Sequence, residues 1–214
     1  MTEMKDRADQ VLSILEETHQ DAPPTYLDHK NAFEMLIATI LSAHTTDASV
    51  NKATPELFKK YPTPERLAKA ELEDLKRIVR GTGSYNQKST YIKETAQTLV
   101  EHFDGKVPRS IDDLVLCKGV SRKTANVVLS VAFGINEGVV VDTHIRRVTQ
   151  RLGLTREEKP GKIETDLMEL LPKDKWGDYA RLVGAHGRRV CSARKPDCPN
   201  CALNALCPSV NQWS

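Results

Sequence analysis

Leu116-Cys117-Lys118-Gly119-Val120-Ser121-Arg122-Lys123-Thr124-Ala125 is a tight turn between two helical patterns, Ser110 to Leu116 and Ser121 to Phe133. Gly119 permits the positive φ that such a hairpin needs. Ser121 is a sound N-cap and places Arg122 and Lys123 in the first turn of the second helix. Amides exposed at a helix start can hold a phosphate without reading sequence. The helix dipole disfavours cations at this end, so two adjacent ones point beyond simple solvation. Past them, Ala125, Val127, Val128, Leu129, Val131, Ala132 and Phe133 are apolar on every side, which predicts a buried helix.

Helical periodicity continues on both sides of this hairpin. Ala8, Val11, Leu12 and Leu15 recur at i, i+3, i+4, i+7, as do Phe33, Leu36, Ile37, Ile40 and Leu41. Ile92, Ala96, Leu99, Val100 and Phe103 form a third stripe, and Ile163, Leu167, Leu170 and Leu171 a fourth. Thr63 before Pro64, then Ser110 and Asp142, mark helix starts. Gly105, Gly134 and Gly153 mark stops. Val139 to Val141 alone reads as strand, and nothing near it supplies a pairing partner. The expectation is an all-α chain of about ten short helices without internal repeats.

The chain has 214 residues, room for one or two domains at roughly 150 residues each. Hydrophobic residues make up 39% and charged residues 28%, which excludes collagen, disordered polymers and low-complexity sequence. No apolar run approaches the ~20 residues of a membrane helix. The first ten residues mix acids and bases and show no signal-peptide core, so the expected address is the cytosol. Net charge is only +2, so distribution carries more information than the sum. Arg181, Arg188, Arg189, Arg194 and Lys195 fall in one stretch that holds no acid. That stretch reads equally as a solvated basic face.

Four of the five cysteines crowd the last 24 residues as Cys191-x6-Cys198-x2-Cys201-x5-Cys207. Disulfides are improbable in a cytosolic setting, so metal binding is the better reading. Four-cysteine zinc sites usually show two close pairs, and here there is one. The spacing favours a four-iron four-sulfur cluster, with structural zinc as the alternative. Arg194 and Lys195 sit between the first two cysteines, where a pinned loop would offer both cations to phosphate. Val139-Val140-Val141-Asp142-Thr143-His144 delivers an aspartate to a helix start. Taken alone, that reads as an N-cap beside a structural histidine.

These motifs together resemble the endonuclease III family of helix-hairpin-helix DNA glycosylases, which carry an iron–sulfur cluster. The resemblance spans nearly the whole chain. It includes Leu41-Ser42-Ala43-His44-Thr45-Thr46-Asp47, the hairpin, Val141-Asp142-Thr143-His144, His186-Gly187-Arg188 and the full cysteine spacing. It implies two helical domains flanking a DNA-binding cleft. One is a six-helix barrel over residues 26–136, with the helix-hairpin-helix at about 111–133. The other joins residues 1–25 to 137–214 and bears the cluster loop at 191–207. The family's catalytic residues fall on Lys123 and Asp142, and its four-iron four-sulfur ligands on Cys191, Cys198, Cys201 and Cys207. The implied activity is a bifunctional glycosylase and abasic-site lyase acting on oxidised pyrimidines through a lysine Schiff base and β-elimination. The implied partner is double-stranded DNA carrying damaged bases or abasic sites, met by a monomer in the nucleoid-associated cytoplasm.

Several departures fall on residues expected to face DNA: His44, Ser84, Lys118, Gly119, Val120, Ser121, Arg122, Arg194 and Lys195. The family's hairpin usually reads Leu-Pro-Gly-Val-Gly, where this chain has Cys117-Lys118-Gly119-Val120-Ser121. Its gap-filling glutamine is replaced by His44, and its wedge leucine by Ser84 in Gly83-Ser84-Tyr85. Serine cannot part a base stack as leucine can. Two rival functions remain at this point. One is a mismatch-specific glycosylase of the same superfamily, whose members generally lack the lysine. The other is a non-catalytic iron–sulfur protein for DNA binding or electron transfer.

Overall fold

The computed structural model describes residues 2–210 and Gln212. Met1, Asn211, Trp213 and Ser214, which the expected domain bounds include, lie outside the described residues. Eleven α-helices and three short 3-10 turns are found among the described residues, and no strand. The chain divides into two compact units, Thr25–Glu137 and the pair Met1–Pro24 with Gly138–Ser214. Helix α1 (Thr2–Thr18) belongs to the second of these.

The unit of residues 25–137 holds α2 (Ala32–Leu41), α3 (Asp47–Lys60), α4 (Pro64–Ala68), α5 (Leu72–Ile78), α6 (Tyr85–His102), α7 (Ile111–Leu114) and α8 (Arg122–Phe133). Side-chain caps set several of these starts. Thr63, Ser110 and Ser121 accept from the backbone N–H of Arg66, Asp113 and Thr124. From Phe33 to Leu41, α2 is buried throughout, and it packs on α8, α6 and α3. Leu57, Leu75, Ile92, Leu99, Leu114 and Leu129 close the core around it. At ~25 cal/mol per Å² of apolar surface removed from water, such helices are held by this shared burial and not by propensity.

The other unit adds α9 (Thr143–Arg151), α10 (Pro160–Leu170) and α11 (Trp176–Arg189) to α1. Its core joins Val11 and Leu15 to Val148, Leu167, Tyr179 and Leu182. The buried Tyr179 hydroxyl lies 2.9 Å from the Thr149 hydroxyl, which satisfies both. Gly187 lets α11 approach α9 closely, since a Cβ there would lie 3.0 Å from the His144 Cβ.

Three expectations change. Residues 139–141 are loop, with Val139 and Val141 buried; no strand edge is there to pair with them. Burial of α8 is confined to one face, with Ala125, Val128 and Leu129 buried and Val127, Val131, Ala132 and Phe133 only half-buried. Val100 is exposed because it falls beside the Ile92–Ala96–Leu99 stripe, off its centre.

Candidate active site and cysteine loop

The hairpin is fixed mainly by its own backbone. Gly119 takes φ +78°, and the Val120 N–H bonds the Cys117 carbonyl at 3.1 Å. Cys117 and Val120 are buried, while Lys118, Gly119, Ser121 and Arg122 are exposed. From α6, the Thr95 hydroxyl donates to the Lys118 carbonyl at 2.9 Å. This tie constrains a backbone position where Lys118 lacks a proline ring. Burial pushes the Cys117 thiol up to about 11, so it is an inert core group.

Lys123 is exposed in the first turn of α8, and among the described residues its ammonium has no hydrogen-bond or ion-pair partner. The neighbouring Arg122 reaches the Glu137 carbonyl at 3.5 Å.

Asp142 belongs to the other unit. Its Oδ1 accepts from the Ile145 N–H at 2.8 Å, which makes it the N-cap of α9. Its Oδ2 lies 3.7 Å from the Arg188 guanidinium, an ion pair too long for a hydrogen bond. Capping therefore fixes one oxygen, and the other faces the Arg188 charge. Burial, then the Arg188 charge, lowers the His144 pKa and keeps that ring neutral. Arg147 bonds the Gly187 carbonyl at 2.8 Å and the Cys191 carbonyl at 3.1 Å. It thereby ties α9 to the start of the cysteine loop.

The four late cysteines line one solvent-open cavity with Val148, Leu152 and Leu203. Among the described residues, no three Cys, His, Asp or Glu groups are placed to hold a single ion. Arg151 spans the loop from α9, donating to the Cys191 sulfur at 3.3 Å, the Ser192 carbonyl at 2.7 Å and the Ala193 carbonyl at 2.9 Å. His186 sits 3.5 Å from the Cys201 sulfur and 3.1 Å from the buried His19 ring. Burial, then the proximity of His19, pushes His186 down to about 4. Burial also raises the Cys201 and Cys207 thiols, so a thiolate in this cavity calls for a cation beside it.

The basic stretch splits in two. Arg181 pairs with Asp178, Arg188 with Asp142 and Arg189 with Asp21. Arg194 and Lys195 project from the loop exposed, with no ion pair among the described residues.

His44 and Ser84 are both exposed and both take positive φ, 55° and 44°. Sequence reasoning missed the residues that brace these parts, Lys88, Arg151 and the pair His19 and His186. A signal existed for two of them. Lys88 lies four residues before Ile92, and Arg151 three after Val148, each on a stripe that is otherwise apolar.

Residues 37–173 match the family described as HhH-GPD superfamily base excision DNA repair protein. The chain belongs to this superfamily. It is 45% identical to endonuclease III of Synechocystis sp., over 98% of this chain and 95% of that protein. Against endonuclease III of Escherichia coli the identity is 38%, over 92% of this chain and 93% of that one. Among solved structures it superposes on a trapped endonuclease III–DNA covalent intermediate with TM-score 0.91 at 40% identity, covering 97% of each chain. A thermostable thymine-DNA glycosylase shares the fold, with TM-score 0.83 at 24% identity over 97% of this chain and 98% of that one.

Proposed function

We infer that this base excision repair DNA glycosylase and abasic-site lyase removes oxidised pyrimidines from duplex DNA, with Lys123 as nucleophile. The observation that carries the reading is Lys123 itself, an exposed ammonium without a partner among the described residues, beside a backbone hairpin suited to phosphate. A damaged base inside a duplex must leave the stack before an amine can reach its sugar. Loss of one proton to water turns the Lys123 ammonium into an amine whose Nζ attacks the anomeric carbon, and the glycosidic bond breaks with its electron pair leaving on the base, which takes up a proton from water. Asp142 takes a proton from the amine and stabilises positive charge developing on the sugar. Loss of the ring oxygen bond gives a Schiff base between Nζ and C1′. Removal of a C2′ proton then expels the 3′ phosphate by β-elimination, and water frees the lysine.

Lys118, Gly119, Val120, Ser121 and Arg122 hold the strand through backbone amides and two flanking cations. Arg194 and Lys195 add phosphate contacts from the cysteine loop, and His44 and Ser84 fill the gap left by the base. The four thiols line one cavity, and their spacing, with a single close pair, fits a four-iron four-sulfur cluster better than zinc. Bound by Cys191, Cys198, Cys201 and Cys207, that group supplies structural cross-linking of the loop. Among the described residues no helix is long and apolar enough to cross a membrane. A monomer acting on nucleoid DNA in the cytoplasm is the setting this reading implies.

Borohydride trapping tests the chemistry. Wild type with an oxidised-pyrimidine duplex should give a covalent protein–DNA adduct. Lys123→Gln should abolish both adduct and strand cleavage while DNA affinity changes little, since one charge among many phosphate contacts is a modest loss. Trapping by the glutamine variant would assign the nucleophile elsewhere. Base release by wild type that never traps would mean that water is the nucleophile.

A further inference from the structure

Lys88 lies in the first helical residues of α6 and is 4% exposed. No carboxylate pairs with it among the described residues. Its Nζ instead donates to two backbone carbonyls from separate segments, Leu41 at 2.8 Å and Thr82 at 2.5 Å. Its own N–H holds the Ser84 carbonyl at 3.0 Å. Burial alone lowers its pKa, and even the neutral amine keeps two N–H donors for these two acceptors.

The acceptors have telling positions. Leu41 is the last residue of α2, and a donor there meets the negative end of its dipole. His44 follows three residues later with φ 55°, and Ser84 follows Thr82 by two with φ 44°. Among the described residues only Asp104 is another non-glycine with positive φ. So the two segments that Lys88 joins each run directly into a left-handed corner, and each corner presents one of the two exposed gap-filling residues. Ser84 has no reach of its own, so the placement of its backbone must do what a long wedge side chain would.

We propose that Lys88 is a positioning residue that clamps the 41–44 and 82–84 segments into one rigid edge, so that His44 and Ser84 enter the duplex together when a base is extruded. This rests on the reading that those two residues face DNA. An abasic site has no base to extrude, so its cleavage does not need the clamp.

The test uses the full chain and reads three signals. These are single-turnover base release from an oxidised-pyrimidine duplex, single-turnover cleavage of a preformed abasic duplex, and the fluorescence of an aminopurine beside the lesion. Lys88→Met keeps the aliphatic stem and removes the donors. Base release should fall on the order of 10- to 100-fold with loss of the fluorescence rise, and abasic cleavage by less than about threefold. Equal losses in both reactions, or none in either, overturn the proposal. Lys88→Arg covers the case of a methionine variant that does not fold. It keeps donors on a wider head and should show the same selectivity at smaller size; without that selectivity the proposal falls. His44→Ala separates the two levels. If it shows no selective loss of base release, His44 does not enter the duplex and both readings fall. If it is selective and Lys88→Met is not, the Lys88 assignment alone falls.

Discussion

The hairpin around Gly119 and the loop from Cys191 to Cys207 are both proposed to grip phosphate, yet they are stabilised in opposite ways. The hairpin stands between two capped helices, buries Leu114, Cys117 and Val120 in the core, and takes one tie from Thr95. Every one of those interactions is made by the polypeptide alone. The cysteine loop has one short 3-10 turn, Asn204–Leu206, and one fully buried apolar side chain, Leu203. Its other supports are polar: Arg151 of α9 on three groups, Asn204 on the Cys198 carbonyl at 2.7 Å, and the thiols around their cavity. A short loop without a core cannot offset its conformational entropy this way. The contrast teaches that one grip is intrinsic to the fold and the other is conditional on what the sulfurs bind.

The largest expected effect follows from that condition. Cys198→Ser, or removal of bound metal by a chelator, should release the loop at a cost of several kcal/mol. Hydrogen exchange reads the result at chosen amides. Asp197, bonded to the Val190 carbonyl at 3.0 Å, should lose protection. Ala125, bonded to the Ser121 carbonyl at 2.9 Å, should keep it. Equal loss at both would show that the hairpin also depends on the loop, and the comparison would break.

The converse strikes the hairpin. Gly119→Ala must hold φ +78° and place a Cβ 2.6 Å from the Tyr91 ring. Strain and the displaced ring together should cost about 2–4 kcal/mol in urea unfolding. Gly134 has φ +67° with nothing within 4 Å of its Cβ position, so Gly134→Ala should cost only about 1–2 kcal/mol. Gly119→Ala should also weaken binding to damaged and undamaged duplexes alike. A cost equal to that of Gly134→Ala would mean the Tyr91 contact relaxes freely.

What was legible in the sequence was what is local. Caps at Thr63, Ser110, Ser121 and Asp142 each accept from an N–H three residues on, and the stops at Gly134 and Gly153 are single positive-φ residues. An apolar stripe marks the positions of Lys88 and Arg151, but what the braces hold was not legible, because their partners are distant in the chain: Lys88 to Leu41, Arg151 to Ser192, His19 to His186. Nothing in a window of sequence distinguishes a lysine snorkelling from a helix from one that ends on two carbonyls. The same limit blurred the basic stretch, in which the partners of Arg188 and Arg189 lie at Asp142 and Asp21.

That division of the basic residues gives a smaller test. Arg194→Ala or Lys195→Ala should lower affinity for all duplexes and reduce the salt slope by about 0.9 per lost contact. Arg189→Ala removes an exposed ion pair with Asp21 at 2.7 Å and should leave the slope unchanged. With the loop released, the Arg194 effect should vanish, because the cation is then no longer held in place. Persistence of the full slope in the released loop would mean that its grip is not conditional.

The smallest effect concerns the fifth cysteine, which belongs to the hairpin. Its thiol is 2% exposed, and burial lifts it from 9.0 to about 11. Below pH 9 the thiol is protonated in the folded and unfolded chain alike, so its contribution is constant. Between pH 9 and about 11 the unfolded thiol ionises while the folded one resists, so stability falls as pH rises, by on the order of 2 kcal/mol. Cys117→Ala removes this dependence and leaves a small cavity costing on the order of 1 kcal/mol at every pH. Wild type should therefore be the more stable at pH 8, and its margin over the variant should shrink as pH rises and reverse by about pH 11, as urea unfolding at a series of pH values will show. Thiol labelling gives the same distinction in the native protein. After chelation the four loop cysteines should react at pH 8, and Cys117 only on unfolding. A constant stability margin and a fast fifth label would mean that solvent reaches the hairpin core as readily as the loop, and the two grips would then differ only in their ligands.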